Sequence, residues 1–188
     1  PLPWAPEEIV EETYEKVLAP VIAEMAARGT PFVGLLYAGL ALTSKGLKVI
    51  EFNARFGDPE TQVLIPRLET PLATLLYNAA TDNLDDSVLT WRNESAVTVV
   101  VASEGYPEAP KTGGEISLPS HSSARIYHAG TSSSEGRLLS SGGRVLTITG
   151  LGSSLSEARE KAYETASQVS LHNSFYRSDI ALTASKGK

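Results

Sequence analysis

Residues 48–62 read KVIEFNARFGDPETQ. The first half has a β-branched, apolar strand pattern, and the second half breaks at Gly57, Asp58 and Pro59. Glu51, Asn53, Arg55, Asp58 and Glu60 crowd into this short run. That is more polarity than a buried strand tolerates and more order than a random loop needs. Strand alternation puts Val49, Glu51 and Asn53 on one face and Lys48, Ile50 and Phe52 on the other, with Phe52 toward a core. A carboxylate and an amide on one face can hold a hard divalent cation together. Mg²⁺ prefers oxygen ligands, takes few of them from protein, and completes its shell with phosphate and water. The plainer alternative is a solvent-facing strand end with Asn53 opening the next turn. On spacing alone both readings stand.

The residues that follow also carry two readings each. The Arg55 guanidinium can grip a phosphoryl group or a carboxylate with two hydrogen bonds, or it can pair with Asp58 or Glu60. Gly57 permits close backbone approach or a positive φ. Asp58 can cap a helix that begins at Pro59, which would place Glu60 in its first turn.

Working outward, Val10, Tyr14, Val17, Leu18, Val21, Ile22 and Met25 form one apolar stripe on a helix beginning at Pro6. Pro20 removes a backbone donor inside that stripe and predicts a kink, and Arg28-Gly29 closes the helix. Pro31–Leu42 reads as a buried strand, Thr43–Gly46 as a turn and Lys48–Asn53 as its antiparallel partner. Helices are expected over Pro59–Leu68 and Pro71–Ala80, with a polar connector over Thr81–Ser87.

A second unit starts near Trp91, so the expected domains are residues 1–90 and 91–188. It carries strands over Ala96–Ala102, Ala124–His128, Arg137–Leu139 and Arg144–Thr149. Gly105-Tyr106-Pro107 and Lys111–Gly114 read as turns, Ser141-Gly142-Gly143 as a hairpin bend and Ser132–Ser134 as a loop. Ser154 and Glu157 form a capping box for a helix whose apolar face is Leu155, Ala158, Ala162, Ala166 and Val169. The tail Thr183–Lys188 reads as frayed. Trp4 and Trp91 read as packing anchors.

The bulk properties bound the function. The chain has 188 residues, 41% hydrophobic and 20% charged, with a net charge of −6. That is a globular composition whose acidic balance argues against nucleic-acid partners, which need a basic face. There is no cysteine, so disulfides, thiolate metal sites and cysteine nucleophiles are excluded, and a reducing, cytoplasmic setting fits. No apolar run approaches the roughly 20 residues that span a bilayer, and no basic-then-apolar leader opens the chain, so no membrane partner is expected. His121, His128 and His172 lack metal-ligand spacing, and no glycine-rich nucleotide motif is present. The start Pro1-Leu2-Pro3 suggests a processed chain or one cut from a longer protein.

The run Arg55-Phe56-Gly57-Asp58-Pro59-Glu60-Thr61-Gln62 resembles the signature of the phosphoribosylamine–glycine ligases, also called glycinamide ribonucleotide synthetases. PFVGLLYAGL, GGRVLTITGLG and the closing FYRSDIA agree with it. The resemblance implies an α+β fold: the C-terminal part of an ATP-grasp core, an antiparallel sheet with helices, followed by a small mixed β-sheet and helix domain. It also implies an ATP-dependent ligase of de novo purine synthesis that joins glycine to 5-phosphoribosylamine through glycyl phosphate, releasing ADP and phosphate. The family's metal ligands fall on Glu51 and Asn53, for Mg²⁺ or Mn²⁺ with ATP as co-substrate. Arg55 and Asp58 become candidates for catalytic contacts, and Arg55 and Gly57 for contacts to the nucleotide.

Ala54 stands where relatives often carry cysteine. Chains of this family are longer, so the resemblance implies the C-terminal portion, inactive alone and partnered by the N-terminal part of the same enzyme. The alternatives are a non-catalytic or partner-binding half of a split ATP-grasp protein, or an ATP-grasp carboxylase, against which the RFGDPE run argues.

Overall fold

The computed structural model describes residues 5–84 and 89–187. Trp4 and residues 85–87 of the connector lie outside the described residues, as does Lys188 of the tail. The chain divides into two compact units. One comprises the residues up to Thr61 with Leu68–Thr90; the other comprises Gln62–Arg67 and the chain from Trp91.

The first unit opens with α1 (Ile9–Thr13), a π turn over Tyr14–Leu18, and α2 (Ala19–Ala27). The break expected from Pro20 is this π turn, which ends two residues before it. A proline ring collides with the carbonyl four residues back, here that of Lys16, and widening that turn accommodates it. Gly29, at φ 77°, ends the helix as expected, and the Thr30 amide donates back to the Met25 carbonyl at 3.0 Å. The start of the stripe is not covered: Val10 is 67% exposed and Tyr14 61%, whereas Val17 is buried.

The hairpin follows as β1 (Tyr37–Thr43) and β2 (Gly46–Asn53), paired antiparallel. The expected strand over Pro31–Leu42 starts only at Tyr37 and is half-buried, not buried. Register places Gly39 opposite Glu51 but Leu40 opposite Val49, so Ile50 is a bulged residue without a partner. That bulge corrects the expected faces. Directly paired residues share a face, so Ala38, Leu40, Leu42, Leu47, Val49 and Phe52 form one apolar face. Tyr37, Gly39, Ala41, Lys48, Glu51 and Asn53 form the other. Val49 therefore leaves the face of Glu51 and joins Phe52, and these two line an apolar groove with Val17, Pro20, Val21 and Met25 of the helical segment.

After the hairpin come α3 (Thr61–Leu64), a 3-10 turn (Ile65–Arg67) and α4 (Leu72–Ala80). The helix expected from Pro59 begins later, at Thr61, because Asp58–Glu60 form a turn. Asp58 and Pro59 therefore do not serve as cap and first helical residue, and Glu60 precedes the helix.

The second unit holds β3 (Ser95–Ser103), β4 (Ile116–Ser117), β5 (Arg125–His128), β6 (Thr131–Ser134), β7 (Arg137–Ser140) and β8 (Arg144–Gly152). Then come α5 (Leu155–Gln168), β9 (Ser170–Leu171), β10 (Ser174–Phe175) and α6 (Leu182–Ser185). Its main sheet runs β10-β3-β8-β5. The sheet expected to be mixed is antiparallel in every described ladder.

Two further expectations change here. Ser132–Ser134 belongs to β6, which pairs with β7 through a turn where Glu135 and Gly136 both have positive φ. Ser141–Gly143 is not a hairpin bend, because β7 pairs with β6 whereas β8 pairs with β3 and β5. The tail forms the four-residue α6, which takes in Thr183–Ser185 of the stretch expected to fray.

The core lies where α5 covers the sheet. Val97, Val99, Ala158 and Ala162 pack together, and Val101, Ile116, Val145, Leu146, Ile148, Ala166 and Leu171 form a second cluster. Gly150 makes this approach possible, since a Cβ there would overlap the Ala158 carbonyl and come 2.8 Å from the Ala162 nitrogen. Ser154 caps α5 by accepting from the Glu157 amide at 3.2 Å. The returning Glu157 carboxylate accepts from the Ser153 amide at 2.8 Å, one residue earlier than a standard capping box.

Candidate functional site

The polar face of the β1–β2 hairpin gathers the chemistry of the first unit. Glu51 and Asn53 project from the same face of β2, and the Asn53 amide donates to the Glu51 carboxylate at 3.1 Å. Gly39 stands opposite Glu51, and a Cβ there would lie 3.0 Å from the Glu51 Cγ, so bare backbone makes room for this side chain. Tyr37, opposite Asn53, donates from its hydroxyl to Glu60 at 3.2 Å. Burial, then the Glu60 carboxylate, then Glu51, push the Tyr37 phenol above its ordinary pKa.

The residues after the strand are arranged differently from one another. Arg55 is exposed and donates to the Phe56 carbonyl at 2.9 Å, folding back on its own chain. Gly57 is buried and does not adopt a positive φ; its role is close approach, because a Cβ would lie 2.9 Å from the Glu60 Cδ. Its carbonyl accepts from the Thr61 amide at 3.1 Å, which ties the turn to the start of α3. Asp58 is exposed.

Glu51 and Asn53 are thus brought together, with Glu60 reached through Tyr37. Sequence reasoning missed Tyr37, and its one available signal is the two-residue spacing to Gly39 on the strand that faces β2.

The donor set is one carboxylate oxygen and one amide, both hard. Among the described residues no group of three or more His, Asp or Glu side chains is suited to a metal ion. This does not count against a nucleotide-associated cation, which takes one or two protein ligands and completes its shell with phosphate oxygens. The residues present fit such an ion.

Residues 1–61 match the family model described as phosphoribosylglycinamide synthetase, ATP-grasp (A) domain, and residues 96–183 match the C domain of the same enzyme. The chain belongs to the phosphoribosylglycinamide synthetase family. A Streptomyces coelicolor phosphoribosylamine–glycine ligase is 52% identical over 191 residues, covering 98% of this chain and 46% of the relative. A Mycobacterium tuberculosis (strain H37Rv) phosphoribosylamine–glycine ligase is 48% identical over 190 residues, covering 100% and 44%. The chain therefore spans under half the length of the curated relatives it matches.

The crystal structure of phosphoribosylamine–glycine ligase from Thermotoga maritima superposes with a TM-score of 0.78 at 37% identity, over 92% of this chain and 42% of that one. The biotin carboxylase domain of Hydrogenobacter thermophilus 2-oxoglutarate carboxylase shares the fold, with a TM-score of 0.62 at 16% identity over 93% and 38%.

Within the matched C domain, the segment that carries the closing part of the resemblance is held by α5. Arg159 stacks 4.4 Å over the Tyr163 ring and donates to the carbonyls of Ile180 at 2.9 Å and Ser178 at 2.6 Å. Tyr163 donates to the Arg177 carbonyl at 2.6 Å. In this unit Arg159 and Tyr163 clamp the closing FYRSDIA stretch through its backbone carbonyls.

Proposed function

We propose that this chain is the C-terminal part of an ATP-dependent ligase that joins glycine to 5-phosphoribosylamine, and that Glu51 and Asn53 hold its nucleotide-associated Mg²⁺ or Mn²⁺. The supporting observation is that Glu51 and Asn53 lie in hydrogen-bond contact on the polar face of the hairpin, within the stretch that matches the ATP-grasp domain. In this reading residues 1–90 are the end of the ATP-grasp domain and residues 91–188 the small C-terminal domain. The protein works in the cytoplasm, on ATP, glycine and 5-phosphoribosylamine, together with the N-terminal part of the same enzyme.

The chemistry is phosphoryl transfer followed by amide formation. A glycine carboxylate oxygen attacks the γ-phosphorus of ATP and ADP leaves. The amine of phosphoribosylamine then attacks the acyl carbon and phosphate leaves. A divalent cation, when bound, neutralises charge on the phosphate oxygens. The contribution of this chain is positioning. In this reading Glu51 and Asn53 would hold the cation, Arg55 and Asp58 would supply catalytic contacts, and Arg55 and Gly57 would contact the nucleotide.

The test is ADP release that requires both glycine and phosphoribosylamine, measured on the full-length protein carrying this sequence and on residues 1–188 alone. Activity in the first and none in the second is expected. Turnover by residues 1–188 alone defeats the partition of the active site, and no glycine dependence in the full-length protein defeats the substrate assignment.

A further inference from the structure

Resting on the metal reading just given, we infer that Tyr37 is a positioning residue for that site: its hydroxyl holds Glu60 beside Glu51, so that the hairpin face offers the cation a second carboxylate. The geometry is specific. Tyr37 and Glu60 are 23 residues apart in sequence and meet through a 3.2 Å hydrogen bond. Tyr37 lies opposite Asn53 in the ladder, on the same face as Glu51.

Glu51 packs over Gly39 on this face, and Glu60 folds back over Gly57. A Cβ at Gly39 would lie 3.0 Å from the Glu51 Cγ, and one at Gly57 would lie 2.9 Å from the Glu60 Cδ. Glu60 is exposed and, without an anchor, would swing into solvent to escape the negative charge of Glu51. The phenol supplies that anchor with its proton. Partners that orient ligands without touching a metal typically change affinity by about 10- to 100-fold when removed.

A purely structural tyrosine acts through its ring, which packs near Gly39, and Tyr37→Phe preserves that ring. The variant therefore separates the two roles. The experiment titrates Mn²⁺ into the full-length protein with saturating ADP and reads free Mn²⁺ by electron paramagnetic resonance. The series is Tyr37→Phe, Glu60→Gln, their double variant and Glu51→Gln, with the melting temperature recorded for each.

We expect Tyr37→Phe and Glu60→Gln each to weaken Mn²⁺ binding about tenfold. The double variant should be no weaker than either single one, and the melting temperature of Tyr37→Phe should be unchanged. Unaltered affinity in Tyr37→Phe and Glu60→Gln, alongside a loss in Glu51→Gln, overturns the positioning role and leaves the metal reading standing. Additive losses in the double variant also overturn it, because the two residues would then act separately. Unaltered affinity in Glu51→Gln, or no Mn²⁺ retained by the parent protein, overturns both.

Discussion

The two units solve opposite problems with similar material. In the second, β3 and β8 are so well covered that Val99, Val145, Leu146 and Ile148 are 0–1% exposed. In the first, Val17 is the one apolar side chain in the core among the described residues, and Phe52 and Val49 of the hairpin remain 42% and 44% exposed. The side chains proposed to hold the cation lie on the exposed hairpin, whereas the unit with the core carries cap bonds, a close helix–strand approach and a backbone clamp. The second unit closes a core on itself, whereas the first leaves an apolar hairpin face uncovered, in a chain that spans under half the length of its relatives.

Substitutions in the two units test this difference. The largest effect is expected in the well-packed unit: Leu146→Ala should cost about 3–4 kcal/mol in urea unfolding, from lost burial and the cavity left behind. A cost under about 1 kcal/mol would mean that the second unit is no better packed than the first. Next comes Glu51→Gln in the full-length protein. Removing the carboxylate proposed to hold the metal should lower kcat roughly 100-fold in the glycine-dependent ADP assay, while leaving the unfolding midpoint in place. Near-normal turnover would remove chemistry from the hairpin altogether.

Ser154→Ala deletes the bond to the Glu157 amide and should destabilise the second unit by about 1 kcal/mol. Ile50→Ala sits on the bulge, where the parent side chain is 70% exposed, and should change stability by less than about 0.5 kcal/mol. A larger loss would show that this residue is covered in solution.

The smallest effect concerns pH. Hydrogen bonds from Lys161 and Ser153 lower the Glu157 carboxyl from its ordinary 4.5 to about 2. A depressed folded-state pKa stabilises the protein above about 4.5, and that contribution fades as pH falls toward 2. The melting temperature of the parent should therefore drop more steeply than that of Glu157→Gln across this interval. Parallel curves would mean that the bonds to Glu157 do not hold in solution.

Much of this was legible in the linear chain, for reasons that can be traced to particular residues. The Thr43–Gly46 turn, the helix cap at Ser154 and the alanine face of α5 depend on chemistry within a few residues, so short-range patterns reveal them. The pairing of Glu51 with Asn53 was legible in the same way, since residues two apart on a strand share a face. The strand Thr131–Ser134 was not, because four small polar residues carry no period, and only the ladder with Arg137–Ser140 makes them a strand.

The α+β class, the hairpin, the family resemblance and the shared face of Glu51 and Asn53 are all written in the linear chain. Tertiary structure alone decided that Ile50 would bulge, moving Val49 to the apolar face, and that Tyr37 would reach Glu60. The physical reason is one of range. Periodicity and turn chemistry are written in neighbouring residues, whereas register, close approach and cross-chain hydrogen bonds exist only once distant segments have packed.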